Sequence, residues 1–238
     1  MDTIKIDSLN TKIIAHRGLS GIELENTNSA FVAAGNRSYY GIETDVHRTS
    51  DGKYVIIHDD DTKRVSYEDI PVEGSTFDKL RSLKMKPKNG SDRADLVIPT
   101  LREYIQTCKR YNKIAVLELK NEFPFEDIWK ICDEIVDEGY LDKVIFISFF
   151  FDNLVNLRKI YPKHTVQFLT MKYTDEMVQS LVEHKFDLDI LYTELTKERV
   201  EDLHAKGIKV NCWTCDNKEE AEKLCRWNVD FLTTNILE

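Results

Sequence analysis

The sequence has no hydrophobic run long enough to cross a membrane as a helix. Such a helix needs about 18 or more apolar residues, whereas the longest run here, residues 144–151, is interrupted by Ser148 and has the length of a strand. Residues 1–8 are too polar for a secretory signal peptide. We therefore expect no stable membrane insertion.

Positive charge is also scarce. The chain has 33 Lys and Arg against 42 Asp and Glu, which gives a formal net charge of −9. Nucleic acids and anionic membranes both call for a basic surface, so we expect no nucleic-acid partner. An anionic small-molecule substrate would need a local concentration of positive charge.

Cysteines are few, and their number, five, is odd. This count argues against a disulfide framework and favours reduced thiols in the cytoplasm. Cys212 and Cys215 have the C-x-x-C spacing of a redox motif, but no second pair completes a zinc site. We interpret all five as small buried thiols rather than as redox or zinc-binding groups.

Strand-like and helix-like hydrophobic patterns alternate along almost the whole chain. Strands are predicted near residues 12–15, 40–46, 114–119, 143–148, 165–169, 188–192, 208–213 and 230–233. Helices are predicted near residues 26–35, 100–111, 125–138, 152–160, 175–184, 196–206 and 217–227. Because no G-x-G-x-x-G turn follows the first strand, the pattern favours an α/β fold of the TIM (β/α)8 barrel type over an open dinucleotide-binding sheet.

Residues 53–98 interrupt this alternation. They contain the short apolar run 54–57 and then a polar stretch rich in Pro and Gly, which is longer than an ordinary barrel loop. We predict a single domain over residues 1–238, with this segment as a small insertion after the second strand, over the barrel mouth.

Signals for helix ends support the same assignment. Asp152, Thr174, Thr196 and Asp216 are predicted to cap helix N-termini through their side-chain oxygens. Gly139 and Gly207 are predicted to end helices.

Three carboxylates lie within predicted strands. Strand alternation places Glu43 and Asp45 on one face, and Glu118 comes from another strand. Buried carboxylates need a metal, a basic partner or a raised pKa. Each one taken alone could be a surface group or half of an internal salt bridge. All three at the C-terminal ends of barrel strands favour a divalent-cation site, with Mg²⁺, Ca²⁺ or Mn²⁺ left open.

Two histidines, His16 and His58, directly follow apolar runs and are candidates for general acid and general base. Their order in the reaction stays open, and His47 is a less secure candidate. Three further histidines are expected to be solvated on or near outer helices: His164, His184 and His204.

Arg17 and Lys120 follow the same strands and are candidates for binding a phosphate. Trp213, at the end of the seventh strand, is either an apolar wall for a small carbon skeleton or a core residue.

Several motifs follow one another in a fixed order along nearly the whole chain. They are His16-Arg17-Gly18, Glu25-Asn26-Thr27, Glu43-Thr44-Asp45-Val46, Thr49-Ser50-Asp51-Gly52, His58-Asp59, Glu118-Leu119-Lys120, Ile147-Ser148-Phe149, Trp213-Thr214 and Val229-Asp230. This ordered set resembles the glycerophosphodiester phosphodiesterase family. The resemblance implies a TIM barrel that hydrolyses glycerophosphodiesters to glycerol 3-phosphate and an alcohol, using a divalent cation.

The resemblance also implies roles for individual residues. Glu43, Asp45 and Glu118 are similar to the metal ligands, and His16 and His58 to the acid and base pair. Arg17 and Lys120 are similar to phosphate ligands, and Trp213 to a contact on the glycerol side. Near the C-terminus, residues 233–235 read Thr-Thr-Asn where the family commonly has Thr-Asp-x-Pro, which bears on the closing segment and on substrate choice.

Other functions fit parts of the pattern. A lysophospholipase D would use Phe149, Phe150 and Phe151 near the mouth to meet an acyl chain. A glycosidase would use two of the carboxylates as acid and nucleophile without a metal, but it leaves both histidines and both cations unexplained. A silent binding protein is disfavoured because every candidate catalytic position holds a suitable residue. The alcohol group, the nucleophile (water or the substrate's own hydroxyl) and the oligomeric state are left open.

Overall fold

The computed structural model describes residues 2–90 and 92–238. Its strands are β1 (Lys12–Ala15), β2 (Gly41–Arg48), β3 (Tyr54–Ile56), β4 (Ile114–Leu119), β5 (Val144–Ser148), β6 (Val166–Thr170), β7 (Asp187–Leu191), β8 (Val210–Trp213) and β9 (Phe231–Thr234). All except β3 pair in parallel with their neighbours, and β1 pairs with both β9 and β2. This pairing closes an eight-stranded barrel, which confirms the predicted TIM fold.

Helices connect the strands on the outside of the barrel. They are α1 (Asn28–Gly35), α2 (Phe77–Arg81), α3 (Leu101–Tyr111), α4 (Phe125–Asp137), α5 (Phe151–Ile160), α6 (Asp175–His184), α7 (Lys197–Ala205) and α8 (Lys218–Arg226). Their inner faces and the outer faces of the strands form the main hydrophobic core. A second apolar cluster lies inside the barrel and contains Ile14, Val116, Ile145, Ile147, Leu169 and Phe231.

Two of the four predicted N-terminal caps are confirmed. The side chains of Thr174 and Thr196 accept hydrogen bonds from the first turns of α6 and α7. The prediction was wrong for Asp152, which lies inside the first turn of α5. It was also wrong for Asp216, because Asn217 caps α8. The Asp216 carboxylate accepts hydrogen bonds from the closing segment instead.

Gly139 and Gly207 follow α4 and α7 as predicted. Their φ angles are 62° and 78°, in the left-handed region that glycine adopts more readily than residues with a Cβ. Both helices therefore end where the sequence indicated.

The segment between β2 and β4 forms a small unit with its own apolar cluster, as the predicted insertion requires. The run 54–57 does not become a barrel strand, because β3 pairs antiparallel with β2 outside the barrel. The backbone N–H of Ile57 then donates to the carbonyl oxygen of Asp45 at 3.1 Å. This contact brings the following residue, His58, to the C-terminal end of β2.

All five cysteines are buried and free, as the sequence predicted. The Cys212 thiol lies 3.7 Å from the carbonyl oxygen of Phe231, and the Cys215 thiol lies 3.6 Å from that of Asn217. Within residues 2–90 and 92–238, the helices lack the combination of length and apolar composition that a membrane crossing requires.

Candidate active site

A pocket of about 350 Å³ opens at the C-terminal ends of the barrel strands. Its lining includes every sequence-predicted site residue except Asp45: His16, Arg17, Glu43, His58, Glu118, Lys120 and Trp213. Asp45 is 1% exposed and its carboxylate lies beside those of Glu43 and Glu118. The structure therefore brings all eight residues to one place.

The three carboxylates converge because of the strand register. Asp45 on β2 is the direct partner of Glu118 on β4, and Glu43 lies two residues before Asp45 on the same face. One oxygen from each of the three lies within 4.8 Å of the others, and all three side chains are buried. Such a cluster of oxygens has the chemistry of a site for a hard divalent cation.

The ionisation of these groups reflects their crowding. Burial and the charge of Asp45 raise the pKa of Glu43 and of Glu118 well above the usual value. Burial also opposes ionisation of Asp45, but the nearby charges of Arg17, His58 and Lys120 hold its pKa well below the usual value. Asp45 Oδ1 is buried and accepts no hydrogen bond from the residues that the structure describes. A cation at this point would reduce the repulsion between the three carboxylates and would give Asp45 Oδ1 a partner.

Arg17 is held at the cluster by the turn that follows β1. Its φ angle is 54°, its backbone N–H donates to Glu43 Oε2 at 2.9 Å, and its guanidinium donates to Glu25 at 2.9 Å. The guanidinium Nε lies 3.6 Å from Asp45 Oδ2. The next residue, Gly18, has a φ of 72°, and a Cβ there would lie 2.7 Å from the backbone of Ala30. The turn therefore requires glycine.

Lys120 provides the second cation. Its Nζ lies 3.2 Å from Glu118 Oε1 and 3.6 Å from Asp45 Oδ1. Like Arg17, it touches the acidic cluster and also lines the pocket. Both cations are therefore available to an anion that enters the mouth.

His16 is fixed by a residue that the sequence analysis did not identify, Asn235. His16 Nδ1 lies 2.8 Å from Asn235 Oδ1, and the amide is oriented because Asn235 Nδ2 donates to Asp216 Oδ2 at 2.6 Å. Since an amide oxygen only accepts, the imidazole hydrogen lies on Nδ1. Nε2 is then free to accept a proton, 3.9 Å from Glu43 Oε2. Burial and the charge of Arg17 lower the pKa of His16 to about 4, so the ring is neutral.

His58 has a different environment. Its Nδ1 lies 2.6 Å from Asp59 Oδ1, and Arg64 donates to the same carboxylate at 2.7 Å. Burial lowers the pKa of His58, while the charges of Asp45 and the bond to Asp59 oppose that shift. The Nδ1 of His58 therefore faces a carboxylate, which stabilises the protonated ring, whereas the Nδ1 of His16 faces a neutral amide.

His47 does not line the pocket but lies behind it, fully buried on β2. Its Nε2 lies 3.2 Å from the carbonyl oxygen of His58, and its Nδ1 lies 3.4 Å from Glu73 Oε1. His47 therefore supports the backbone that carries His58.

The remaining histidines lie outside the pocket, but the prediction that all are solvated was wrong for two of them. His164 is half-buried with Nε2 at 3.0 Å from the carbonyl oxygen of Val144. His204 is half-buried with Nε2 at 2.9 Å from Asp230 Oδ2. His184 is exposed as expected.

The opposite wall of the pocket is less charged. Trp213 lines it, with its ring edge-to-face against Phe149 at a centroid distance of 5.7 Å. Phe150 is 38% exposed, and Phe151 packs away from the mouth against Phe168.

Asp189 and Thr233 also line this wall, and the sequence analysis missed both. Asp189 stands at an inward position of β7, and the alternation Asp187-Leu188-Asp189 is the same kind of signal that identified Glu43 and Asp45. Asn235 had no comparable signal, because its role depends on the closing of the barrel.

A model of the glycerophosphoryl diester phosphodiesterase family matches residues 16–238. A glycerophosphodiester phosphodiesterase of Caldanaerobacter subterraneus subsp. tengcongensis is 30% identical over 235 residues, which cover 95% of this chain and 95% of that protein. The crystal structure of a glycerophosphodiester phosphodiesterase from Parabacteroides distasonis is similar with a TM-score of 0.78 and 28% identity, covering 95% of this chain and 93% of that one.

A phosphodiesterase from Oleispira antarctica, solved in complex with the product sn-glycerol-3-phosphate, has the same fold. The TM-score is 0.81 at 24% identity, and the match covers 97% of this chain and 95% of that one. Sequence and fold agree across essentially the whole length, and the chain belongs to the glycerophosphoryl diester phosphodiesterase family.

Proposed function

We propose that this protein hydrolyses glycerophosphodiesters to glycerol 3-phosphate and an alcohol in the pocket at the barrel mouth. The observation that carries the proposal is the convergence of three buried carboxylates within 4.8 Å, beside the two cations and two histidines of the pocket lining. Membership of the family supports the same reaction. The whole chain acts as one catalytic domain, and its five free thiols favour the cytoplasm.

In this proposal Glu43, Asp45 and Glu118 hold one divalent cation. The all-oxygen set and the unpartnered Asp45 Oδ1 fit Mg²⁺, Ca²⁺ or Mn²⁺. A divalent cation held by these three carboxylates would supply Lewis-acid polarisation of the phosphodiester. It would also offset the repulsion between the three groups when all of them are ionised.

Arg17 and Lys120 bind the phosphate group and neutralise its remaining charge. The guanidinium of Arg17 is held by Glu25, so its orientation is set before the substrate arrives. The Nζ of Lys120 lies 3.6 Å from Asp45 and 3.2 Å from Glu118, which fixes the position of its ammonium group. Both residues orient the phosphorus atom toward the histidines.

His16 acts as the general base and His58 as the general acid. The neutral His16 has its hydrogen on Nδ1 and its Nε2 free, so it takes the proton from the nucleophile. If the nucleophile is water, glycerol 3-phosphate forms directly; if it is the substrate's glycerol hydroxyl, a cyclic phosphate forms and water then opens it to glycerol 3-phosphate. His58, which donates to Asp59 through Nδ1, protonates the departing alkoxide from Nε2. The neighbouring Asp59 carboxylate stabilises the charged imidazole before that transfer.

The direct test is to incubate the purified protein with glycerophosphocholine and each of Mg²⁺, Ca²⁺ and Mn²⁺, and to measure glycerol 3-phosphate. We expect product with at least one cation and its loss on adding a chelator. We expect Glu43→Gln to lose activity, whereas Glu219→Gln, a change at an exposed position of α8, keeps it. Absence of product with all three cations would refute the proposed reaction, and full activity of Glu43→Gln would refute the ligand assignment.

A further inference from the structure

Asp189 is a buried carboxyl group that the proposed mechanism does not use. It lies on β7, is 2% exposed and lines the pocket. Its Oδ1 has no hydrogen-bond partner within the described part of the chain. A buried carboxyl group without a partner is costly to the fold, and burial raises the pKa of Asp189 well above its usual value. Such a group calls for a ligand.

Three inward-facing polar side chains near Asp189 form hydrogen bonds with one another that do not include Asp189, and Gln167 Nε2 at the end of this series has no partner within residues 2–90 and 92–238. Thr233 donates to Asn211 Oδ1 at 3.2 Å, and Asn211 donates to Gln167 Oε1 at 3.0 Å. This chain of hydrogen bonds joins β9, β8 and β6. Asp189 is the direct strand partner of Asn211, yet Oδ1 takes no part in the chain. The free oxygen is therefore specific to Asp189 among these inward-facing side chains.

A free donor accompanies this free acceptor. The indole Nε1–H of Trp213, on the neighbouring strand β8, is buried and has no partner among residues 2–90 and 92–238. Trp213 and Asp189 both line the pocket. A hydroxyl group donates and accepts, whereas an ammonium group only donates. A hydroxyl-bearing carbon skeleton therefore complements this wall better than an amine does.

We infer that Asp189 is a specificity-determining residue that accepts a hydrogen bond from a hydroxyl group on the carbon skeleton of the substrate, with Trp213 donating to an oxygen of the same skeleton. The inference rests on the proposed function, because Arg17 and Lys120 on the far wall fix the position of the phosphate. The wall formed by β7 and β8 then recognises the polyol, and the residues of the opposite wall carry out the reaction.

The test uses two phosphodiesters that share a p-nitrophenyl leaving group. One carries glycerol and the other carries n-propanol, which lacks the hydroxyl groups. We expect Asp189→Ala to lower kcat/KM for the glycerol ester by about tenfold or more, because a lost hydrogen bond to a substrate hydroxyl discriminates strongly. The propyl ester should change by about twofold or less, and Asp189→Asn, which keeps an acceptor oxygen, should recover part of the loss.

Asp187→Asn serves as the matched control. Asp187 lies two residues earlier on β7, outside the pocket lining, and accepts from the backbone N–H of Lys209 at 2.9 Å. It should leave the ratio of the two esters unchanged. A parallel loss for both esters in Asp189→Ala, or an unchanged ratio, would show that Asp189 does not recognise the hydroxyl group.

A binding measurement separates this inference from the proposed reaction. Calorimetry with Ca²⁺ compares glycerol 3-phosphate with n-propyl phosphate and needs no turnover. If neither ester is hydrolysed but the wild type prefers glycerol 3-phosphate and Asp189→Ala loses that preference, the reaction is refuted and the inference stands. A preference that survives in Asp189→Ala overturns the inference even when both esters are hydrolysed.

Discussion

The two walls of the barrel mouth differ in how their buried polar groups are stabilised. On the wall formed by β1, β2 and β4, carboxylates alternate with cations, and each ionised group faces an opposite charge within 4.0 Å. On the wall formed by β6 to β9, neutral side chains hydrogen-bond to one another, and Asp189 Oδ1 has no partner among the residues that the structure describes. In the proposed function, the first wall binds the charged reacting group and the second wall binds the neutral part of the substrate.

Removing one charge from the first wall should have the largest effect. Asp45→Asn keeps the shape of the side chain but removes the carboxylate that balances Arg17 and Lys120. We expect kcat to fall by about 10³-fold or more, since charge stabilisation in a closed site is commonly the largest catalytic contribution. Steady-state kinetics with glycerophosphocholine would measure this loss.

Asp127→Asn is the control for burial alone. Asp127 is similarly buried, on α4, and accepts from Tyr54 at 2.8 Å far from the pocket lining. It should cost stability but leave kcat within about twofold. If both variants lost activity equally, the distinction between the charged wall and other buried carboxylates would fail.

A smaller effect should follow from releasing His16. Asn235→Ala removes the amide that holds the tautomer of His16, and we expect kcat to fall about 10- to 100-fold. In a His16→Ala background the same change should cost little more, because the two residues act as a unit. Additive losses in the double variant would contradict this coupling. Asn217→Ala, which removes the cap of α8, should lower the melting temperature without this loss of kcat.

Asp189 on the second wall should make the stability of the protein depend on pH. The raised pKa of Asp189 means that the folded protein holds this proton more tightly than the unfolded chain does. As the pH rises above about 4, where an ordinary aspartate ionises, the wild type loses stability until the pH reaches the folded-state pKa. Asp189→Asn has no such loss.

Unfolding of the two proteins in urea at a series of pH values should therefore show a growing advantage for Asp189→Asn, by up to about 1.4 kcal/mol per pH unit within that window. Although it is more stable, Asp189→Asn should be less active than the wild type with the glycerol ester. A constant difference across the pH range would mean that Asp189 is not held neutral by burial.

The mildest effect is expected at His47, which lies behind the pocket and contacts the backbone carbonyl of His58 and the carboxylate of Glu73. His47→Leu should lower kcat about threefold to tenfold, the value of one hydrogen bond, with little change in KM. His47→Gln, which keeps a donor, should retain more activity. A change in KM alone would place His47 in substrate binding instead.

Most of the fold followed from local patterns. Strands of a TIM barrel are buried on both faces and separated by amphipathic helices, so the alternation along the chain indicated both their number and their order. Local signals were less reliable at helix ends. Asp216 stands where a cap was expected, but its carboxylate binds Asn235, a partner that only the closed barrel brings near.

The site divided in the same way. The convergence of Glu43, Asp45 and Glu118 could be predicted because each lies in a hydrophobic strand, where burying a carboxylate is costly unless a cation or a basic group lies beside it. The supporting contacts of the histidines could not, since the bond from His16 to Asn235 spans 219 positions along the chain. Asp189 lay within reach of the alternation argument, because Asp187 stands two residues earlier on the same strand.

The pairing of β1 with β9 has a consequence for the order in which the enzyme is assembled. The loop-closure entropy is larger for parallel strands this far apart in sequence than for neighbouring strands, so we expect β1 and β9 to join late in folding. During synthesis the carboxylates of β2 and β4 can come together on an incomplete chain, while His16 still lacks Asn235. A nascent chain would then be able to bind a cation before it could move a proton, and hydrolysis would begin only when the ring of strands had closed.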